Sequence, residues 1–345
     1  MQQVMQTSQS VACLTSSGTG AMEAAVVNLL SPGDTAIVVL GGKFAERWQE
    51  LCKAYGINVV PVEVAYGDAV DPAKVAEALK ANSNAKAVFT TLLETSTGVV
   101  NDIAAIGTIV KSSAAVLVVD AISGLLAEEC RTDAWGVDVL VTGSQKGLML
   151  PPGLAFMSIS ERAWTLVDRS TSPRYYADLR LYKKALADDD TPFTSAVSLV
   201  IAMDEALKLI LAESVPKTLA RCALMAQATR AAAKALGLEL FSKRPGNGVT
   251  AIKVPALVDG KQLTKIMYDR SKVMVAGGQG SMAGKIFRFA HMGFISPDDV
   301  LAGVAALEGA LKELNFNFTA GAGIAAARAV FSKSAATSRE AATAR

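Results

Sequence analysis

A single lysine, Lys146, follows a hydrophobic run and is the residue of this chain best suited to chemistry. Residues 137–141 have the pattern of a buried strand and lead through small polar residues to Lys146, and a second apolar run, 154–159, comes after Pro151. Burying an ammonium group costs more free energy than its aliphatic stem gains. The pKa of a lysine held there falls, and the neutral amine is a nucleophile that can form a Schiff base. The alternative is a lysine at a strand end whose ammonium group reaches solvent.

Three further groups of polar residues follow predicted strands. Residues 15–20, Thr-Ser-Ser-Gly-Thr-Gly, join a strand to a helix, and their small side chains let backbone N–H groups surround an anion that the helix dipole favours. Residues 94–98, Glu-Thr-Ser-Thr-Gly, carry hydroxyl groups that either organise a turn or hydrogen-bond a bound ring. Asp120 ends an apolar strand and is either a helix cap or a functional anion.

The elements that must position these groups alternate between short β-branched runs and amphipathic stretches. The predicted strands are residues 11–14, 36–40, 59–64, 87–92, 115–119, 137–141 and 154–159, and helices begin near residues 20, 44, 72 and 104. Such alternation predicts an α/β fold with a mainly parallel sheet flanked by helices. Ligands of these sheets bind beyond the carboxyl ends of the strands, where all four polar groups fall.

The second half of the chain has a different pattern and predicts a smaller α+β domain. Residues 160–235 are mostly helical, including a long amphipathic segment at 194–212. Short strands at 249–254, 273–275 and 285–289 then alternate with helices that begin near Gly260 and Pro297. We expect a large domain at 1–220, a small domain at 221–331 and a flexible tail at 332–345.

Composition excludes several classes of protein. The net charge of +2 arises from 34 basic and 32 acidic residues mixed along the chain, which does not favour nucleic-acid binding. The N-terminus lacks the pattern of a signal peptide, no apolar stretch is long enough to span a membrane, and four scattered cysteines indicate a reducing compartment, so a cytoplasmic protein is expected. The only histidine, His291, rules out Ser-His-Asp hydrolysis and histidine-rich zinc sites, and no metal is predicted.

We call residues 15–20 the anion cup. Together with the hydroxyl groups of residues 94–98, Asp120 and Lys146, it forms the set of groups that pyridoxal 5′-phosphate (PLP) requires. The cup would hold the phosphate, the lysine would form the imine, and the aspartate would keep the pyridine nitrogen protonated. An alternative from a different class of enzyme is a nicotinamide-dependent oxidoreductase with a Rossmann sheet. It fails because Glu23 replaces the third glycine of the fingerprint and no acidic residue follows the strand that ends at Leu40.

At this point the chain resembles the class V, fold type I, PLP-dependent aminotransferases. It is most similar to the alanine/serine–glyoxylate (serine–pyruvate) aminotransferases, including relatives labelled as a soluble hydrogenase subunit. The resemblance covers residues from about 10 to about 330. The motifs that carry it are residues 17–24 (Ser-Gly-Thr-Gly-Ala-Met-Glu-Ala), 94–99 (Glu-Thr-Ser-Thr-Gly-Val), 118–123 (Val-Val-Asp-Ala-Ile-Ser), 143–147 (Gly-Ser-Gln-Lys-Gly), 151–153 (Pro-Pro-Gly) and 287–293 (Phe-Arg-Phe-Ala-His-Met-Gly).

The resemblance implies a role for each matching residue. Lys146 is the Schiff-base lysine and the proton carrier, and Asp120 pairs with the pyridinium nitrogen. Arg288 binds the substrate carboxylate, for which its planar fork is suited. The remaining implied cofactor contacts are Ser17, Gly18, Thr19 and Gln145 at the phosphate, Ser96 near the ring oxygen, and Phe44 and Ile122 on the ring faces. His291 is expected to help structure the segment that contains Arg288.

The resemblance also implies a homodimer with its active site at the subunit interface. The segment at 191–195, ahead of the long helix, would carry Thr194 and Thr191 to the phosphate of the partner's cofactor. Relatives carry an N-terminal arm ahead of this first strand that lines the substrate pocket and the dimer interface, and the resemblance leads us to expect that this arm is absent before Val11. We therefore expect a complete cofactor site and a substrate pocket that lacks one wall.

The predicted reaction is ping-pong transamination of alanine or serine with glyoxylate or pyruvate. One alternative is another PLP reaction on the same scaffold. Desulfuration is disfavoured, since Phe44 stands where desulfurases stack a histidine and no cysteine lies in an obvious loop of the small domain. The other alternative is a degenerate, non-catalytic dimer, which the absent N-terminal segment favours and intact Lys146, Asp120 and Arg288 oppose.

Overall fold

The computed structural model describes residues 1–343 and the side chains of residues 1–336. Its strands are β1 (Val11–Leu14), β2 (Thr35–Leu40), β3 (Asn58–Glu63), β4 (Ala87–Thr91), β5 (Leu93–Glu94), β6 (Val99–Val100), β7 (Val116–Asp120), β8 (Val139–Gly143), β9 (Ala155–Ile159), β10 (Val249–Lys253), β11 (Ala276–Gly277) and β12 (Ile286–Ala290). Its α-helices are α1 (Gln2–Met5), α2 (Gly18–Leu29), α3 (Lys43–Ala54), α4 (Pro72–Ala81), α5 (Ile103–Lys111), α6 (Glu161–Val167), α7 (Leu179–Leu186), α8 (Val197–Glu213), α9 (Val215–Ala235), α10 (Gly260–Ser271), α11 (Pro297–Glu313) and α12 (Ala322–Thr343).

Seven strands form one sheet in the order β1-β9-β8-β7-β4-β2-β3. The pairs β2–β3, β2–β4, β4–β7 and β7–β8 are parallel, while β9 runs antiparallel to both of its neighbours, so the predicted α/β class with a mainly parallel sheet is confirmed. Strands β4, β7 and β8 are buried along their whole length, which explains why their sequences are continuous apolar runs.

Helices cover both faces of this sheet. Residues of α2, α3 and α7 form one apolar core against it, around Trp48 and Phe89, whereas α4, α5 and α8 form the other, around Ile106 and Leu117. The predicted start of α4 is confirmed, because Asp71 caps it by accepting a hydrogen bond from the N–H of Ala73 at 2.9 Å. These two cores fix where the carboxyl ends of the strands lie.

A second sheet, in the order β10-β12-β11, packs with α9, α10 and α11 around Leu263, Phe287 and Leu307. The predicted strand at 273–275 is displaced along the chain to β11, since only Ala276 and Gly277 pair with β12. Helix α12 runs to Thr343. The predicted domain division near residue 220 stays a prediction. The predicted flexibility of residues 332–345 also stays a prediction, and residues 344 and 345 lie outside the described part of the chain. Between residues 1 and 343, no helix is both long enough and apolar enough to cross a bilayer.

Candidate active site

Three of the four polar groups that follow strands meet at one cavity of about 180 Å³, and residues 94–98 lie outside its lining. It lies beyond the carboxyl ends of β7 and β8, beside the starts of α2 and α3. Its lining residues are Ser17, Gly18, Thr19, Phe44, Arg47, Leu93, Asp120, Ile122, Ser123, Gln145 and Lys146. A larger groove of about 600 Å³ between α4 and α5 is lined mainly by alanine and serine, with Lys80 as its one ionisable side chain. The chemistry therefore lies in the smaller cavity.

The start of α2 forms one wall of the cavity. Ser17 is its N-cap, with an extended backbone and no side-chain hydrogen bond to the helix. The N–H of Gly20 donates to the carbonyl of Ser17 at 2.9 Å, so the N–H groups at the helix start that are free to bind an anion are those of Gly18 and Thr19. Gly18 is required for space, since a Cβ there would lie 2.4 Å from Cδ1 of Ile122. Ile122 thus packs directly against the anion cup.

Lys146 follows β8 in a tight turn and is half-buried. The turn is held by hydrogen bonds from the N–H of Met149 to the carbonyl of Lys146 and from the N–H of Leu150 to the carbonyl of Ser144, each 3.0 Å. Burial, and then the positive charge of Arg288, lower the pKa of Lys146 below its usual 10.5, while Asp120 opposes this shift. These are the conditions that favour a nucleophilic amine over an ammonium group in solvent.

Asp120, the last residue of β7, does not cap a helix, because residues 122–124 form a turn, and its role as a functional anion stays a prediction. One oxygen accepts a hydrogen bond from the N–H of Ile122 at 2.8 Å, and the side chain, only 4 % exposed, lines the cavity. Burial raises its pKa to about 7, with a further contribution from the charge of Glu94, whereas Arg47 and Lys146 lower it. A cationic group bound in the cavity would hold this carboxylate ionised.

Glu94, which the sequence analysis left without a role, organises the wall that carries Phe44. Its Oε2 accepts hydrogen bonds from the N–H groups of Phe44 (3.1 Å) and Ala45 (2.9 Å), so it caps the start of α3. Its Oε1 accepts from the N–H (3.0 Å) and hydroxyl (2.5 Å) of Ser96. Gly42 makes room for this carboxylate, since a Cβ there would lie 2.4 Å from Cδ of Glu94. An acidic residue that follows a buried strand was the signal for it.

Ser96 lies next to the cavity lining and not within it. Its hydroxyl donates to Glu94 and accepts from the N–H of Lys43 at 3.0 Å. Contact between Ser96 and a ring oxygen stays a prediction.

Arg47 is the second functional residue that the sequence analysis missed. It lines the cavity on α3, one turn after Phe44, with its guanidinium carbon 5.4 Å from the centroid of the Phe44 ring. Its Nη1 donates a hydrogen bond to Oγ1 of Thr19 at 2.9 Å. The three-residue spacing from Phe44, which places two helical side chains on one face, was the signal for it.

Arg288 reaches toward the cavity from β12 of the second sheet. Its Nη1 donates to the carbonyl of Thr95 at 2.7 Å, and its Nε and Nη2 donate to the carbonyl of Gly277 at 3.1 and 2.8 Å. It is close enough to Lys146 to lower the pKa of that lysine. His291 follows the last residue of β12 and is buried, with Nε2 3.0 Å from the hydroxyl of Thr250. Burial lowers its pKa to about 3.

Thr191 and Thr194 do not line the cavity of their own chain. The hydroxyl of Thr191 donates to the carbonyl of Phe193 at 2.9 Å, and Thr194 is exposed. The segment is tied to the anion cup by the N–H of Ala196, which donates to the hydroxyl of Thr15 at 3.2 Å. The predicted contact of both threonines with a partner's cofactor stays a prediction.

The lining suits a phosphorylated, planar cofactor. Oε1 of Gln145 is buried without a hydrogen-bond partner among the side chains that the structure describes, and it lies beside Gly143, which also neighbours the backbone nitrogen of Gly18. A buried amide oxygen of this kind requires a donor, which water can supply and a phosphate dianion cannot, so Gln145 would bind a phosphate through its NH₂ group. Helix amides, a buried carboxylate, an aromatic ring and an amine complete the set, so the residues present fit PLP.

Comparison with known proteins gives the same result. The class-V aminotransferase family model matches residues 1–295. The chain is 44% identical to the soluble hydrogenase 42 kDa subunit of Anabaena cylindrica, over 95% of this chain and 87% of that protein. It is 36% identical to a serine–glyoxylate aminotransferase of Hyphomicrobium methylovorum, over 95% and 83% respectively.

Solved structures agree with the sequence comparisons. The pyridoxamine–pyruvate aminotransferase of Mesorhizobium loti superposes with a TM-score of 0.92 at 33% identity, over 96% of this chain and 87% of that chain. The chain has a fold type I sheet with a lysine and an aspartate at its carboxyl edge, and its relatives match nearly its whole length. This protein therefore belongs to the class-V aminotransferase family.

Proposed function

We propose that this protein is a PLP-dependent aminotransferase that exchanges the amino group of alanine or serine with glyoxylate or pyruvate. The observation that carries the proposal is the meeting of Lys146, Asp120 and the anion cup of α2 in one cavity. The lowered pKa of the lysine supports the same function, because an amine must be neutral to attack a carbonyl carbon.

The cofactor would be held by residues that already surround the cavity. Ser17, Gly18 and Thr19, with Gln145, would bind its phosphate, Asp120 its pyridine nitrogen, and Phe44 and Ile122 its ring faces. When bound, PLP supplies an electron sink for the charge that develops at the substrate Cα. Ionised Asp120 keeps a proton on the pyridine nitrogen, which strengthens that sink.

Two side chains would act on the substrate itself. Nζ of Lys146 takes the proton from the substrate Cα as a general base, for which a pKa closer to neutrality is favourable. Arg288 binds the α-carboxylate. Three of its five N–H groups donate to Thr95 and Gly277, which fixes the guanidinium plane and leaves one N–H on each terminal nitrogen for the substrate.

The function is tested by the turnover of alanine and glyoxylate to pyruvate and glycine. Lys146→Ala should lower kcat by about 10²- to 10⁴-fold, the usual contribution of a general base, with little change in melting temperature. Lys111→Ala, at the exposed end of α5, is the matched control and should retain full activity. A Lys146→Ala protein that turned over at the original rate would refute the assignment.

We also infer that the active form is a homodimer. Apolar side chains stand exposed on α8, among them Val197 at 63 %, Ile201 at 63 % and Leu209 at 64 %. A cluster of this kind favours burial against another surface. The exposed Thr194 lies immediately ahead of this helix, so a partner that covers α8 would also meet the segment at 191–195.

A further inference from the structure

Arg47 is a half-buried cation that has no ion-pair partner among the side chains that the structure describes. Across residues 1–336, where side chains are described, its guanidinium contacts the hydroxyl of Thr19 and the ring of Phe44, and no carboxylate forms an ion pair with it. The neighbouring carboxylate of Glu46 is already engaged by Lys43 and by the hydroxyl of Tyr66. The charge of Arg47 acts on the buried carboxylate of Asp120 without forming an ion pair with it. Since a partly buried charge is stabilised most by a directly bonded counter-charge, this guanidinium is arranged to bind an anion that enters the cavity.

The hydrogen bond to Thr19 has a direction that identifies where this anion binds. The guanidinium has no acceptor, so Nη1 donates and Oγ1 of Thr19 accepts, at 2.9 Å. A hydroxyl that accepts from a cation keeps its own proton free to donate elsewhere, and the cation polarises that O–H bond. Thr19 lies in the first turn of α2, beside the N–H groups that have no partner inside the helix. The Thr19 hydroxyl can thus donate a hydrogen bond to an anion that is bound in the same cup.

We propose that Arg47 is a positioning residue for the anion held at the start of α2, acting by fixing the Thr19 hydroxyl as a donor and by supplying the compensating positive charge. The anion is a phosphate monoester dianion, that of the cofactor in the proposed function, on which this inference rests. A side-chain carboxylate of a dicarboxylic amino acid would have related chemistry, and the experiment below separates the two sources.

The test compares two cofactor forms that differ only in the phosphate. Apo-protein is titrated with PLP and with pyridoxal, and the change in visible absorption gives each Kd. Arg47→Met should weaken PLP binding by about 10- to 100-fold, the usual loss for a charge-assisted hydrogen bond, while pyridoxal binding changes by less than about threefold. Arg47→Lys, which keeps the charge and loses the planar fork, should restore part of the affinity.

Two further variants test the route through Thr19. Thr19→Val removes the hydroxyl, and the Arg47→Met/Thr19→Val double variant should lose much less PLP affinity than the sum of the two single losses, because the two residues act through one contact. Arg131→Met is the matched control, as its guanidinium is exposed and pairs with Glu129 away from the cavity. The control should bind PLP as tightly as the wild type.

The possible outcomes separate the two proposals. Wild-type protein that fails to bind PLP refutes the proposed function and this inference with it. Unchanged PLP affinity in Arg47→Met, with normal wild-type binding, refutes the inference alone, and so does an equal loss for PLP and pyridoxal, which would make Arg47 a support of the ring. A KM that rises for aspartate and not for alanine, with PLP affinity intact, would assign the anion to the substrate and also overturn the proposal.

Discussion

At the scale of single residues, the site depends on two ionisable groups, Lys146 and Asp120, whose pKa values are shifted by burial. Burial lowers the pKa of Lys146 and raises that of Asp120, so both groups move toward their neutral forms in the free protein. A cation at the pyridine position would restore the charge of the aspartate. The residue pair is thus poised for a ligand that brings its own positive charge beside the carboxylate.

Asp120→Asn should change the pH dependence of the stability of the apo-protein, apart from its effect on turnover. The pKa of Asp120 is raised from 3.8 to about 7, so the folded state binds its proton more tightly than the unfolded chain does. Its contribution to stability is full below the unfolded pKa and is lost as the pH rises through about 7. Without cofactor, the wild-type melting temperature should therefore fall more steeply than that of the variant between about pH 4 and about pH 7.

The same variant should lose turnover, because asparagine cannot hold a proton on the pyridine nitrogen by charge. Asparagine keeps an oxygen for the N–H of Ile122, so the local fold is preserved. Calorimetry of the apo-protein across this pH range, beside a turnover assay, measures both effects. Equal pH slopes for the two proteins would contradict the account of Asp120.

The residues that follow strands can be predicted as site candidates from the sequence, whereas Arg47 of α3 cannot. Lys146 and Asp120 end continuous apolar runs, which makes a charge conspicuous. Arg47 lies on an amphipathic helix, where a charged side chain usually faces solvent, and only the packing of α3 against α2 shows that it faces the cavity. Glu94 was visible in a motif, but its four donors come from α3 and from Ser96, contacts that spacing does not predict.

At the scale of elements, the segment after β4 connects two walls of the site, α3 and the second sheet. Glu94 caps α3, which carries Phe44 and Arg47, and the carbonyl of Thr95 fixes Arg288 of the second sheet. This short segment therefore sets the position of an aromatic ring and two guanidinium groups. A change in it should alter the cofactor site and the substrate site together.

Glu94→Gln should destabilise the protein by about 1–3 kcal/mol, the range for leaving buried polar groups without partners. Glutamine replaces one acceptor oxygen by a donor NH₂, while the four groups that face Glu94 are all donors. Urea unfolding measures the loss, and Glu63→Gln at the exposed end of β3 serves as the control. A Glu94→Gln protein as stable as the wild type would show that the cap of α3 is dispensable.

Most strands could be predicted because parallel, fully buried strands are continuous apolar runs. The strand β11 could not be placed in the same way. Its residues, Ala276 and Gly277, are exposed and small, and their strand character comes only from pairing with Arg288 and Phe287 of β12. The apolar residues Val273 and Val275, which suggested a strand, instead pack against the core of the second sheet.

At the scale of the whole molecule, the proposed dimer makes each site dependent on two chains. If Thr194 completes the partner's phosphate site, Lys146→Ala and Thr194→Val should each be defective alone. A mixed dimer of the two has one site with both native residues, so mixing and reassorting the inactive proteins should restore transamination.

A contribution of Thr194 to its own chain would give no such recovery, because every site in the mixture would then carry one defect. Analytical ultracentrifugation of the same mixture confirms that subunits have exchanged. Recovery of activity without dimers would contradict the proposed arrangement.

The most direct test of the central claim is the mass of the cofactor-loaded protein after borohydride reduction, followed by peptide mapping. Borohydride fixes PLP to the amine that holds it. We predict one added pyridoxyl group, located on Lys146, and a visible absorption band that alanine bleaches before reduction. A pyridoxyl group on any other lysine, or no cofactor bound at saturating PLP, would contradict the account.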